Sequence, residues 1–255
     1  MPRKSLVLAV LVLRTAWGQA PAYTADSIVN ASDYSPGPFA PNSVLSIFGS
    51  NLSWYIGEFS ASQSTPSAPV ALSGVEVYVD NWPAPLLYVS PTQINFLVPS
   101  GESPGSISVH VVREGASGPF VSLTLVNGAP ALFGGGSGFA IATHADGTLL
   151  TDASPGQPGE IVVVYATGLG PTDPNPEAGE IPQTAAPLQW LGSLSVSLNG
   201  AALPSDLIMY AGATPGCVGL YQLNIQLPQD VAADPVIQVS MGTQSSSGSL
   251  KIAVQ

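Results

Sequence analysis

The side chains able to do chemistry in this chain are few and scattered. His110 and His144 are its two histidines, too few for a histidine-built metal site, and no H-x-x-x-H spacing puts two rings on one face. His144 stands near Asp146 in a serine-rich chain, the ingredients of an acid–histidine–serine relay. No G-x-S-x-G or comparable nucleophile turn accompanies them. His110, between Val109 and Val111, reads as a rim residue of a strand. The densest local set of oxygen ligands is Asp173, Asn175, Glu177 and Glu180, set among prolines. Calcium is the cation such oxygens would take, but the D-x-D-x-D-G loop pattern is missing, and a solvated acidic loop is the simpler reading. A glycosidase pair of carboxylates needs a cleft, which a small sandwich seldom has. No catalytic residue and no enzymatic activity is therefore expected.

Binding chemistry has better candidates. Trp54, Tyr55 and Trp82 are large aromatics in loop or turn stretches, where they either cover an open end of a core or offer a platform for a sugar ring or a protein. Gln93 and Asn95, repeated as Gln222 and Asn224, could present amides to sugar hydroxyls or to another chain; amides at equivalent sites are more simply structural hydrogen bonds. Cys217 is the single cysteine, so the chain makes no disulfide within itself. With no positive charge near it in sequence to make it reactive, it reads as a small, half-buried packing residue.

The scaffold that must hold these groups is legible from composition and repetition. Of the 255 residues 45% are hydrophobic and 8% charged, against roughly 25% charged in an average soluble protein. Uncharged Ser, Thr, Asn and Gln must then wet the surface. With 27 Gly and 25 Pro along the chain, long helices are disfavoured and short strands joined by turns are favoured. The first residues read as an export signal: Arg3 and Lys4, an apolar run from Ser5 to Leu13, then small residues at Ala16 and Gly18, with a cut expected after Gly18. Arg14 ends the apolar run far short of the roughly 20 residues that span a membrane, so no span is expected after signal removal. Cleavage would remove three of the five basic residues and leave Arg113 and Lys251 against 16 acids, 2 − 16 = −14. Such a chain has nothing to cluster against phosphates, which excludes nucleic acid and disfavours anionic lipid. The expected location is extracellular, cell-surface or periplasmic.

One unit is written twice. QINFLVP, Gln93 to Pro99, returns as QLNIQLP at Gln222 to Pro228, 222 − 93 = 129 residues later. Alternation puts Ile94, Phe96 and Val98, and likewise Leu223, Ile225 and Leu227, on one face of a strand, with amides on the other. Leu97 is the exception, an apolar residue in a polar place. PNSVLSIFGSNL, from Pro41, aligns without a gap on PGEIVVVYATGL, from Pro158, so Phe48 corresponds to Tyr165. VEVYV at Val75 matches LSVSL at Leu194, and Leu86 to Tyr88 matches Ile208 to Tyr210. The stretches from Ser53 to Pro69 and from Gly170 to Gln189 have no counterpart in each other, which makes them the places to look for function. Ala20 to Ala25 reads as a loose leader, and Gly134 to Gly138 as a linker. These signals predict an all-β chain: a signal peptide at 1–18, a first sandwich at 19–133, a linker at 134–138 and a second sandwich at 139–255. Each sandwich would hold about seven short strands, as in immunoglobulin-like domains, the last of them Phe120 to Val126 in the first and Ser249 to Val254 in the second.

The Pro36-Gly37 turn, the phrase Ile47 to Leu52 and the strand closing on Pro99 resemble the IPT/TIG class of immunoglobulin-like domains. More specifically, VNAS at Val29, SIFGSNL at Ser46, APLLYVSPTQINFLVP at Ala84, YATGLGP at Tyr165 and CVGLYQLNIQLP at Cys217 resemble the uncharacterised C-terminal domain family of Solibacter-type bacteria. That resemblance implies an exported protein and carries no established catalytic residues. The expected function is a non-enzymatic interaction or adhesion module, with a protein or glycan of the cell envelope as partner. The alternative is a carbohydrate-binding protein using the loop aromatics.

Overall fold

A computed structural model describes residues 19–61 and 66–255; the expected signal peptide at 1–18 lies outside them. The chain folds as two immunoglobulin-like β-sandwiches in tandem. The first is built from β1 (Ile28–Asn30), β2 (Val44–Phe48), β3 (Gly57–Glu58), β4 (Val75–Val79), β5 (Trp82–Ala84), β6 (Leu86–Val89), β7 (Gln93–Leu97), β8 (Gly105–Arg113), β9 (Ala116–Ser117) and β10 (Val121–Leu125). One of its sheets runs β1-β2-β7-β6-β3 and the other β10-β8-β4-β5, with β9 on β8. The second is built from β11 (Ala131–Leu132), β12 (Ala142–His144), β13 (Ile161–Thr167), β14 (Ala186–Pro187), β15 (Leu194–Leu198), β16 (Ala201–Ala202), β17 (Ile208–Ala213), β18 (Tyr221–Gln226), β19 (Ile237–Met241) and β20 (Gln244–Ser245). Its sheets run β11-β13-β18-β17-β14, with β12 on β13, and β16-β15-β19-β20.

The duplicated sequence produces duplicated geometry. Phe48 pairs with Gln93 across β2 and β7, and Tyr165 pairs with Gln222 across β13 and β18. Both sandwiches carry a register shift at the same place, between Leu86 and Tyr88 in one and between Ile208 and Tyr210 in the other. Ile94, Phe96 and Val98 belong to the first core, and Leu223, Ile225 and Leu227 to the second. The amides of the twin strands bond to each other: Gln93 Nε2 donates to Asn95 Oδ1 at 2.9 Å, and Gln222 Nε2 to Asn224 Oδ1 at 3.0 Å. They are structural groups.

Three details depart from the sequence reading. The leader is not loose: Tyr23 is buried in the first core, its hydroxyl donating to Pro119 O at 2.6 Å and accepting from Val111 N at 2.8 Å, and Ala22 bridges to Ser50. The apolar neighbourhood that accepts the Tyr23 ring also pushes its phenol up to about 12. The stretch expected as a last strand, Ser249 to Val254, makes only isolated bridges, although Ile252, Ala253 and Val254 are buried. Finally, Ala131 and Leu132, before the expected linker, already pair with Thr167 and Ala166 of β13.

The two sandwiches meet through the stretches that have no counterpart in each other. Ala68 N donates to Gly179 O at 2.8 Å and Ile181 N to Pro66 O at 2.9 Å, a short antiparallel ladder between the two loops. Thr167 Oγ1, fully buried, accepts from Val44 N and donates to Gly219 O, both at 3.1 Å. Leu97 is buried here. A Cβ on Gly219, which has φ +67, would stand 2.5 Å from Leu97 Cδ1 and 2.7 Å from Val44 Cγ2. The apolar residue in a polar place is thus explained: the outer face of β7 is covered by the second sandwich at that position, and only glycine permits the approach.

Candidate functional site

The most exposed apolar tip of the first sandwich is Trp54-Tyr55-Ile56, with exposures of 45%, 68% and 71%. It follows directly on Leu52 and Ser53, which are buried and anchor it, with Ser53 Oγ accepting from Tyr55 N and donating to Tyr55 O. Beneath it lies the one arginine among the described residues. Strand β8 sends Ile107, Val109 and Val111 into the core, and the same two-residue period sends Arg113 inward at the sheet's end, where it is 2% exposed. Its guanidinium carbon lies 3.8 Å from the centroid of the Trp54 ring. Nη2 donates to Gln19 O at 2.6 Å and Nη1 to Asn51 O. From the other side Trp54 Nε1 donates to Glu114 Oε2 at 3.0 Å. The indole is therefore clamped by a cation–π contact and a charge-assisted hydrogen bond, and Tyr55 and Ile56 project from a fixed base. Arg113 was legible in principle, because its parity with Ile107, Val109 and Val111 places it on the core face.

Trp82 does not join this tip. It pairs with Val79 at one end of β4, while Arg113 pairs with Val75 at the other, four residues or roughly 13 Å away. Trp82 is exposed by itself. A second aromatic group lies on the outer face of the β10-β8-β4 sheet, where His110 stacks between Tyr78, at 5.0 Å, and Phe120, at 4.1 Å. Partial burial lowers the His110 pKa.

The acidic set is engaged by the fold. Asn175 Oδ1 accepts from Asn42 Nδ2 of the first sandwich at 3.3 Å, Glu180 Oε2 accepts from Glu177 N at 3.0 Å, and Glu180 bridges to Ser67. Asp173 precedes a cis proline, and its backbone N–H donates to Pro187 O. Among the described residues no three His, Cys, Asp or Glu side chains gather where they could hold a metal ion. The loop takes part in the seam between the sandwiches. Cys217 departs from its expected half-buried packing place: it is exposed, on the rim of the narrow cleft between the sandwiches, and partial burial of its sulfur raises the thiol pKa.

His144 finds its partners at Glu160 and Ser154, not at Asp146. Nδ1 lies 2.5 Å from Glu160 Oε1, and Nε2 lies 3.2 Å from Ser154 O and 3.1 Å from Ser154 Oγ. The hydrogen bond to Glu160 raises the His144 pKa most strongly, and the charges of Glu160 and Asp146 add to it. In the protonated form both ring nitrogens are donors, one to Glu160 and one toward Ser154, and such a ring cannot accept the serine proton. The trio ties the β12 turn to the start of β13.

This geometry defines a tandem immunoglobulin-like protein with an exposed apolar tip. Residues 30–126 match the IPT/TIG domain family. The sequence has no match among curated proteins. Among solved structures, similarity extends to the surface glycan-binding protein PbSGBP-B from Prevotella bryantii, at 14% identity over 89% of this chain and 41% of that one, TM-score 0.27. It extends also to a Bacteroides ovatus SGBP-B of a mixed-linkage glucan utilisation locus, in complex with a heptasaccharide, at 8% identity over 85% and 42% of the two chains, TM-score 0.33. The tandem Ig repeats of Dlar share 14% identity over 85% and 91%, TM-score 0.21. The chain spans about two fifths of the length of the two glycan-binding proteins. No helix among the described residues is long and apolar enough to cross a membrane.

Proposed function

We propose that this chain is an exported, non-enzymatic interaction module of the cell envelope, which grips a protein partner through Trp54, Tyr55 and Ile56. The observation that carries the reading is the tip itself: three consecutive apolar side chains held out to solvent by a buried arginine. Leaving Tyr55 and Ile56 in water forgoes the gain of burying them, and a contact with an apolar surface would recover it. Isoleucine offers nothing to a sugar hydroxyl, so this tip suits a protein. The export motif at 1–18 and the resemblance to Solibacter-type exported domains support the location. We assign the first sandwich to 19–126 and the second to 131–255, because β11 already belongs to the second sheet system.

The test is retention of the mature chain on native envelopes. Tyr55→Asp with Ile56→Asp should lower retention at least ten-fold, and protease treatment of the envelopes should abolish it while glycosidase treatment leaves it intact. Equal retention of wild type and variant would refute the role of the tip.

A further inference from the structure

We infer that the groove where the two sandwiches adjoin, floored by Met241 and walled by Trp190, is a binding site for a neutral oligosaccharide. The groove, half open to solvent, measures about 620 Å³ and takes its walls from both sandwiches and the segment between them: Pro104 and Val126 of the first, Asn127 just after it, Trp190 and Ser193 before β15, Thr243 in the β19–β20 turn and Gln244 at the start of β20. Such a space lies inside the range of roughly 300–1,000 Å³ typical of small-molecule sites.

Three observations define the ligand. First, no Asp, Glu, Lys, Arg or His lines the groove, so neither an anionic nor a cationic ligand is matched there. In a chain as acidic as this one, a neutral ligand is the one that meets no opposing charge. Second, the polar groups are unspent. The side chains of Asn127, Ser193, Thr243 and Gln244 and the indole N–H of Trp190 make no hydrogen bond to another described residue. The twin-strand amides, by contrast, satisfy each other. Two amides and two hydroxyls each donate and accept, which is the capacity a ring of sugar hydroxyls requires. Third, Trp190 is 41% exposed and its backbone is fixed. Ser193 N donates to Trp190 O at 2.9 Å, Gly242 N to Ser193 O at 2.9 Å, and Gln189 Nε2 to Thr172 O at 2.9 Å. A Cβ built on Gly170 would lie 3.9 Å from Trp190 Cε3, so the ring rests against the seam. An indole so held offers an apolar face to the C–H face of a pyranose while the amides take its hydroxyls.

This site is separate from the Trp54 tip, and the experiment keeps the two apart. The mature chain is titrated by calorimetry with cello-, xylo-, manno- and malto-hexaose. At least one of these should bind with a Kd of millimolar or tighter. Trp190→Ala should weaken that binding at least ten-fold, and Thr243→Ala, on the exposed turn between β19 and β20, several-fold. Trp54→Ala should leave it unchanged. Absence of binding by all four sugars, binding that survives Trp190→Ala, or binding lost equally in Trp54→Ala would each overturn the assignment.

Discussion

Replacing Arg113 by alanine tests whether the tip is mounted on a buried cation. The substitution removes two hydrogen bonds from a charged donor, about 1.5–3 kcal/mol each, and one cation–π contact of about 1 kcal/mol. It also removes two buried methylenes, Cγ and Cδ, at about 0.8 kcal/mol each. Against that total of roughly 6–9 kcal/mol stands the desolvation of the guanidinium, which costs several kcal/mol per ion and is relieved when the charge goes. Arg113 Nε has no partner, which raises that cost. The net expectation is a loss of about 3 kcal/mol. Arg113→Met keeps the buried stem and removes the charge, and should cost about 1–2 kcal/mol. Urea unfolding of the chain beginning at Gln19, followed by fluorescence in a Trp82→Phe, Trp190→Phe background so that Trp54 alone reports, reads the first sandwich directly. The native Trp54 emission should also shift to the red in both variants as the indole loses its clamp. An Arg113→Ala variant within 0.5 kcal/mol of its parent, with unchanged emission, would refute the argument that this arginine holds the tip.

Three further outcomes follow from the same structure. Thr167→Val keeps shape and removes the hydroxyl that joins Val44 N to Gly219 O; the two buried groups left alone should cost about 1–3 kcal/mol by chemical denaturation, and a neutral effect would mean that the seam relaxes around them. Tyr23→Phe strands Val111 N and Pro119 O and should lower stability by about 1–2 kcal/mol; because burial holds the Tyr23 phenol up to about 12, its contribution is full below the unfolded value near 10 and is lost as pH rises toward 12, which alkaline unfolding of wild type against Tyr23→Phe measures. The two histidines should titrate apart in an NMR pH series, His144 above the ordinary value and His110 below it. Stability from the His144–Glu160 contact is complete below the unfolded pKa near 6.5 and is lost as pH rises through the raised value, and Glu160→Gln should bring the His144 midpoint down.

The strands were readable because a strand's side chains obey a period of two, and the duplication doubled the signal. Gln93 to Pro99 against Gln222 to Pro228 located both core strands and the equivalent amides, whereas the shared register shift at Leu86–Tyr88 and Ile208–Tyr210 leaves no mark in the pattern. The same period, applied to Ile107, Val109, Val111 and Arg113, would have located the buried cation; its charge hid it, since Arg is rarely buried without a partner. Glu160 and Ser154 could not be read as partners of His144, because the turn that brings them there has no spacing rule. The groove at Trp190 was equally hidden: its walls come from residues 127, 190 and 244, and nothing in local sequence says that they adjoin.

The two loops without counterparts carry the main lesson about how a duplicated unit acquires a role. A sandwich repeated without change would present the same outer face of β7 and β18 to solvent in both copies. Here the first copy has Leu97 where the second has Gln226, and Gly219 lets the second sandwich press on that leucine. The loops from Ser53 to Pro69 and from Gly170 to Gln189 then pair across the junction. Divergence between the copies is thus spent on joining them, and the join has a product that neither copy holds alone: the groove whose walls are Pro104 and Val126 from one and Trp190 from the other. If the groove is the site, Thr167→Val and Gly219→Ala, which touch no ligand, should weaken oligosaccharide binding by loosening the seam, whereas Arg113→Ala, at the Trp54 tip, should not.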